Sequence, residues 1–155
     1  MITILAVGQK QPDWVKTGFD EYVNRFPPDY QVTLKEIKAE PRSTAKSVEI
    51  MKALEAERIR SSLPKDSINI ALDEQGKILT TREFGVFLSA LRNESRDAAF
   101  IIGGPDGLDD SLKQACQHQI RLSSMTLPHG LARVLLIEQI YRAWSLIANH
   151  PYHRT

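Results

Sequence analysis

Apolar positions along the chain follow two alternating periods. Ile2 to Val7 is a short apolar run closed by Gly8, which predicts a buried strand. Pro12 and Asp13 open a segment running to about Arg25, with Val15, Phe19, Tyr22 and Phe26 at helical spacing. Pro27-Pro28 stops it, because proline has no amide proton and disfavours helix in the residue before it. Val32-Thr-Leu-Lys-Glu-Ile37 alternates and reads as a second strand. The polar stretch from Lys38 to Lys46, with Pro41, Arg42, Ser43 and Thr44, reads as a solvated connector, although loops of this kind also approach ligands. Ser47 to Arg60 is a helix using Val48, Met51, Leu54 and Ile59.

The second half repeats the alternation. Ile68 to Leu72 is a third strand, followed by the turn Asp73-Glu-Gln-Gly76. Thr80 and Glu83 have capping-box spacing and begin a helix carrying Phe84, Phe87, Leu88 and Leu91 on one face. Ala98-Ala-Phe-Ile-Ile102 is continuously apolar, as a strand covered on both faces should be. After Gly103-Gly-Pro-Asp-Gly107, Asp109 or Asp110 caps a helix to about Gln117, Ile120-Arg-Leu122 is a short strand, and Ser123 to Pro128 leads into the last helix.

That last helix has two adjoining apolar stripes. Leu131, Val134 and Leu135 lie in line with Glu138 and Tyr141; Ile137, Ile140, Trp144 and Ile147 lie beside them. So wide a face suggests packing on the chain's own sheet and on a partner subunit. Glu138 and Arg142 stand four apart, acid first, the favourable order for an intrahelical pair. Glu138 also shares its stripe with Leu131 and Val134, which points it towards an interface or a pocket. Pro151 is expected to end the helix. Strands and helices thus alternate five times over 155 residues. The pattern predicts one α/β domain with a mainly parallel sheet of five to six strands and helices on both faces.

Composition narrows the class. Hydrophobic residues make up 42% and charged residues 25%, the balance of a soluble globule. The lone Cys116, placed mid-helix by this reading, excludes an intrachain disulfide and suits a reducing cytoplasm. No apolar run approaches membrane-spanning length, and the amino terminus lacks the basic region of a signal peptide. Net charge is only +1, but four arginines and one acid fall from Arg121 to the end, a local +3 on a body of −2. A basic terminus could bind phosphate locally; charge alone does not argue strongly for RNA.

Candidate chemistry concentrates at strand ends, where open parallel sheets bind ligands. The glycine loop lacks both the GxGxxG pattern and the Lys-Ser/Thr of a P-loop. Ser123, Ser124 and Thr126, with Leu122, Met125 and Leu127, could line a half-apolar slot suited to a purine, or simply form a polar loop with core-facing leucines. No nucleophile–base pair is visible. His129, His150 and His153 fall near the end, but His150-Pro-Tyr-His153 bends at proline, so no helical pair of ligands forms and no metal is expected.

Several of these stretches resemble one bacterial family. Ala6-Val-Gly8, Pro12-Asp-Trp-Val-Lys-Thr-Gly-Phe19, Gly103-Gly-Pro-Asp-Gly-Leu108, Leu122-Ser-Ser-Met-Thr-Leu-Pro-His129, Tyr141-Arg-Ala-Trp-Ser and Asn149-His-Pro-Tyr-His-Arg154 are similar to the RlmH family of SPOUT-class methyltransferases. The resemblance spans essentially residues 1–155. It implies methyl transfer from S-adenosyl-L-methionine to N3 of pseudouridine 1915 in 23S rRNA, within the ribosome, by a cytoplasmic homodimer without metal or membrane attachment. It also implies a C-terminal trefoil knot over about residues 100–155, whereas general rules of chain topology would predict an unthreaded chain. By the same resemblance Leu72, Gly103, Gly104 and the run Leu122, Ser123, Ser124, Met125, Thr126 and Leu127 hold the cofactor. For the proton that must leave N3, His129, Glu138 and His153 are candidate bases beside a water-assisted path, Arg142 and Arg154 are candidate phosphate or imide ligands, and Tyr152 is a stacking platform. The competing class is a non-catalytic dimeric ribosome- or nucleotide-binding α/β protein; a flavodoxin-like cofactor binder is a weaker third.

Overall fold

The computed structural model describes residues 1–43 and 45–153. Ten elements alternate: β1 (Ile2–Val7), α1 (Asp13–Val23), β2 (Val32–Ile37), α2 (Val48–Ser62), β3 (Ile68–Ile78), α3 (Thr81–Asn93), β4 (Ala98–Ile102), α4 (Asp110–Ala115), β5 (His118–Arg121) and α5 (His129–Ile147). The strands form one sheet in the order β2-β1-β4-β3-β5, every pairing parallel. Side-chain alternation along β1 and β4 splits the interior in two. Ile2, Ile4, Ala6, Phe100 and Ile102 meet Phe19 of α1, Phe84 and Leu88 of α3, and Leu136, Ile137 and Ile140 of α5. Leu5, Val7, Ala99 and Ile101 meet Ala56 and Ile59 of α2 and Leu112 of α4.

Local chemistry explains most boundaries. Thr80 and Glu83 form the reciprocal capping box, and the Asp109 carboxylate accepts the Leu112 amide at the start of α4. Strand β3 runs past the expected turn at Asp73. Leu72 and Lys77 both pair with Ile120, so Asp73 to Gly76 bulge out of the ladder before the strand resumes. Gly76 passes so close to β5 that a Cβ there would lie 2.7 Å from the Ile120 backbone.

Several expectations shift. Helix α1 stops at Val23, α4 at Ala115, and β5 occupies His118–Arg121 rather than Ile120–Leu122. Cys116 therefore caps α4 from outside and is half-buried. Pro151 does not end α5: Asn149 turns left-handed at φ 54°, and the His150 amide reaches back to the Ser145 carbonyl, closing the helix by a Schellman geometry.

Within one chain the two stripes of α5 differ in burial. Leu131, Val134 and Leu135 are only half-buried, and Ile147 is 45% exposed. The buried residues are Arg133, Leu136, Ile137, Ile140, Tyr141, Ala143 and Ser145. Ile137→Ala should therefore lower the unfolding free energy by about 2–5 kcal/mol in urea denaturation, and Ile147→Ala by less than about 1 kcal/mol.

Candidate active site

Three strand ends converge on one cleft of about 670 Å³. Leu72 comes from β3, Ile102, Gly103 and Gly104 from the end of β4, and Leu122 to Leu127 from the segment after β5. Pro128, His129 and Ala132 at the start of α5 close one side. Of the nine residues expected at a cofactor site, eight line this cleft; Ser124 is exposed and does not. Met125 is 80% exposed, which suits a position contributing mainly backbone.

The glycine loop is shaped by contacts with itself. Gly104 and Gly107 form an isolated bridge, and Gly107 has φ +83°, where a side chain would be strained. A Cβ on Gly103 would lie 2.8 Å from the Gly107 carbonyl carbon and 3.0 Å from Leu108. The connector after β2 also reaches this loop. Arg42 pairs with Asp106 at 3.0 Å and lies 3.5 Å from Glu55, whose carboxylate accepts the Glu40 amide at 2.9 Å. Glu40 in turn pairs with Arg58 at 2.6 Å and with Lys46. The stretch read as a solvated connector is thus tied down by ion pairs.

The side of the cleft at His129 holds an arrangement the sequence reading missed. Arg133 is a fully charged side chain only 2% exposed. Its Nη1 donates to Glu36 Oε2 at 2.8 Å, Nη2 to the Gly8 carbonyl at 2.5 Å, and Nε to His129 Nε2 at 3.0 Å. His129 Nδ1 meets the Gly103 carbonyl at 2.7 Å. Burial pushes the His129 ring below the ordinary histidine range, and the Arg133 charge pushes the same way; the bond to Gly103 offsets part of this. Position 133 lies one helical step before Ile137 and Ile140, so carrying their stripe one turn towards the amino end would have found it.

A second cluster gathers the carboxyl-terminal half of α5, the tail and α1. Arg142 Nε donates to Glu138 Oε1 at 2.7 Å, and Gln139 Nε2 to Glu138 Oε2 at 2.9 Å. The Arg142 guanidinium lies 4.9 Å from the Tyr152 ring centre and donates to the His153 carbonyl at 3.3 Å. The Tyr152 hydroxyl lies 3.2 Å from that of Tyr22 and 3.5 Å from Glu138. Burial, then the Tyr22 bond and the Glu138 charge, push the Tyr152 phenol well above the usual tyrosine range. The structure therefore brings Glu138, Arg142, Tyr152 and His153 together, apart from the cleft, whose lining includes none of them. Arg154 lies outside the described residues. Among the described residues, no helix is long and apolar enough to cross a membrane and no group of three metal-ligating side chains forms.

Comparison with known proteins identifies the family. The family model described as "Predicted SPOUT methyltransferase" matches residues 1–153. The chain is 52% identical over 153 residues to the ribosomal RNA large subunit methyltransferase H of Bordetella petrii, covering 99% of this chain and 98% of that one. It is 52% identical over 151 residues to the protein of the same name from Burkholderia ambifaria, covering 97% of each. Among solved structures, a probable methylase family protein from Haemophilus influenzae aligns with TM-score 0.57 and 14% identity, over 96% of this chain and 68% of that chain. A putative methylase family protein from Neisseria gonorrhoeae aligns with TM-score 0.56 and 14% identity, over 90% and 81% respectively. These two likenesses concern the fold.

The depressed His129 ring has a consequence for stability. The unfolded chain takes up a proton near the ordinary histidine pKa and the folded chain only at lower pH, so this group's contribution, present above about pH 6.5, is lost as pH falls through the folded value. His129→Gln should be less stable than the natural chain at neutral pH, and the gap should narrow on acidification, as measured by urea unfolding at a series of pH values.

Proposed function

The chain belongs to the RlmH family of SPOUT methyltransferases, and on that premise we propose that it transfers a methyl group from S-adenosyl-L-methionine to N3 of pseudouridine 1915 in 23S rRNA. The observation that carries the reading is the convergence of eight expected cofactor residues, from three separate strand ends, on a single cleft. The cleft fits the cofactor in size and chemistry. Its volume of about 670 Å³ suits a nucleoside with an amino-acid arm. Leu72, Leu108, Leu122 and Leu127 offer apolar surface for a base, while Asp73, Lys113 and Arg121 supply charge for a zwitterionic end.

When bound, S-adenosylmethionine supplies an electrophilic methyl group on a sulfonium, so the chain's own task is chiefly alignment and proton removal. The glycine loop and the Leu122–Leu127 segment offer backbone groups to hold the donor. Leu72, Gly103, Gly104, Leu122, Ser123, Met125, Thr126 and Leu127 are its proposed contacts, with Ser124 in the same segment. The N3 proton of the substrate ring must leave at or before transfer. His129 is poorly placed to take it, because both ring nitrogens are already bonded. The Tyr152 phenol holds its own proton, which makes it a donor and a stacking face. We assign base and substrate handling to the Glu138–Arg142 pair with His153 and Arg154. The arginines bind phosphate or developing imide charge.

The cleft and the tail cluster lie on different parts of one chain. Between Ala132, at the cleft, and Arg142, in the tail cluster, α5 rises about 15 Å along its axis. A homodimer in which one subunit's tail completes its partner's cleft reconciles the two, and the half-buried Leu131, Val134 and Leu135 offer apolar surface for such an interface. We read residues 1–155 as one such unit, knotted over about residues 100–155, acting in the cytoplasm on the ribosome without metal or membrane.

S-adenosylhomocysteine should raise the melting temperature, since a ligand bound only by the native state stabilises it, while FMN should not. Gly103→Val should abolish that shift in a chain that still folds; an unchanged shift would remove the cleft assignment. Deleting Tyr152 to Thr155 should preserve the shift and cripple methylation of ribosomal subunits, and full turnover by the truncated chain would refute a substrate role for the tail.

A further inference from the structure

Arg133 lies where the chain's path diverges. Strands β1 and β4 are neighbours, yet α1 packs on one face of the sheet and α4 on the other. In an open α/β sheet the crevice at such a switch point is where a ligand is expected. Here it is filled from α5. Arg133 takes the Gly8 carbonyl at the end of β1, and His129 takes the Gly103 carbonyl at the end of β4.

The hydrogen-bond chemistry leaves the ring one form. A guanidinium only donates, so His129 Nε2 must accept from Arg133 Nε. A carbonyl only accepts, so Nδ1 must carry the proton. An imidazolium would place an N–H against an N–H and a second cation beside a buried one. We propose that Arg133 is a positioning residue for methyl transfer: it holds His129 as the neutral Nδ1–H tautomer, so that the cleft presents an uncharged side at Gly103 to a cationic cofactor. This inference rests on the cofactor reading above and deepens it.

The surroundings support a lock of this kind. From α5 the ring faces Arg133; from β2, Glu36 stands behind that arginine as its counter-charge. From the loop after β1 come the Gly8 carbonyl and the uncharged Gln11, whose Nε2 would lie 3.1 Å from a Cβ on Gly8. From the β4 loop come the Gly103 carbonyl and Asp106, itself paired with Arg42. Farther along the cleft stand Arg121 and the Lys113–Asp73 pair. Arg133 is thus the charge in direct contact with the ring, and the lowered affinity of the ring for a proton agrees with its presence.

S-adenosylmethionine and S-adenosylhomocysteine differ by one methyl group and its positive charge. The ratio of their dissociation constants therefore reports the charge of the cleft and cancels most purely structural loss. For the natural chain the ratio should stay flat between about pH 8 and 5.5. For Arg133→Met the ring is free to protonate, and S-adenosylmethionine should lose about fivefold relative to S-adenosylhomocysteine over that range. Arg133→Lys keeps the charge and should restore a flat ratio. Nitrogen-15 spectra of the natural chain give a readout that needs no variant: Nδ1 should be protonated and Nε2 should not, across the same range. A flat ratio in folded Arg133→Met, or a protonated Nε2 in the natural chain, would overturn the inference. Failure of the natural chain to bind either compound would instead overturn the cofactor reading.

Discussion

A buried cation whose three nitrogens each have a hydrogen-bond partner is the constraint on which the site depends. Arg133 is almost wholly removed from water, and taking a guanidinium into a protein interior is costly unless its donors are matched. Each nitrogen has a partner: two come from places distant in sequence, the end of β1 and the end of β2, and the third from the preceding turn of its own helix. Gly8 and Glu36 are anchored by the parallel pairing of β1 with β2. The sheet therefore fixes the arginine, the arginine fixes His129, and His129 fixes the carbonyl of Gly103. Through that chain of bonds the start of α5 is attached to the glycine loop rather than merely packed near it.

This attachment also explains where the cleft is. The crevice between β1 and β4 would ordinarily be open to a ligand, but α5 occupies it with two side chains. Open space is displaced to the ends of β3, β4 and β5, where the bulge at Asp73 to Gly76, the tight turn at Gly103 to Gly107 and the segment after β5 leave a cavity. Ion pairs steady the far edge. Arg42 reaches from the connector after β2 to Asp106, while buried Glu55 and Glu40 hold that connector in turn. The tail cluster is organised differently. Its rings gather around Tyr141: Phe26, just past α1, and Tyr152 of the tail meet it edge-on, Tyr22 of α1 meets it tilted, and Arg142 lies over Tyr152. It is a largely aromatic cluster with a carboxylate and a guanidinium at its edge.

Much of the architecture was legible from residue order alone. The period-two run in β2, the continuous apolar stretch in β4 and the Thr80–Glu83 box are local signals, set by how a few adjacent residues satisfy their backbone, and the structure places these elements where those signals put them. The loops bearing the family motifs were legible for the same reason. Less legible were features for which two segments compete. Strand β3 outruns its turn because β5 offers a second stretch of ladder, and α5 ends on Asn149 because a left-handed residue closes the last carbonyls before Pro151 is reached.

By itself the sequence determined the parallel α/β pattern, the capped helices, the glycine loop and the motifs that mark the family, because each depends on neighbours along the chain. Only the tertiary structure decided that Arg133 is interior, that His129 is bonded at both nitrogens, and that Glu138, Arg142 and Tyr152 form one cluster away from the cleft. The physical reason is the range of the interactions. A helical stripe records which positions share a face, but not whether that face ends on methyl groups or on carbonyls. For Arg133 the answer lies in Gly8 and Glu36, 125 and 97 positions away, and nothing in the arginine's own neighbourhood reports them.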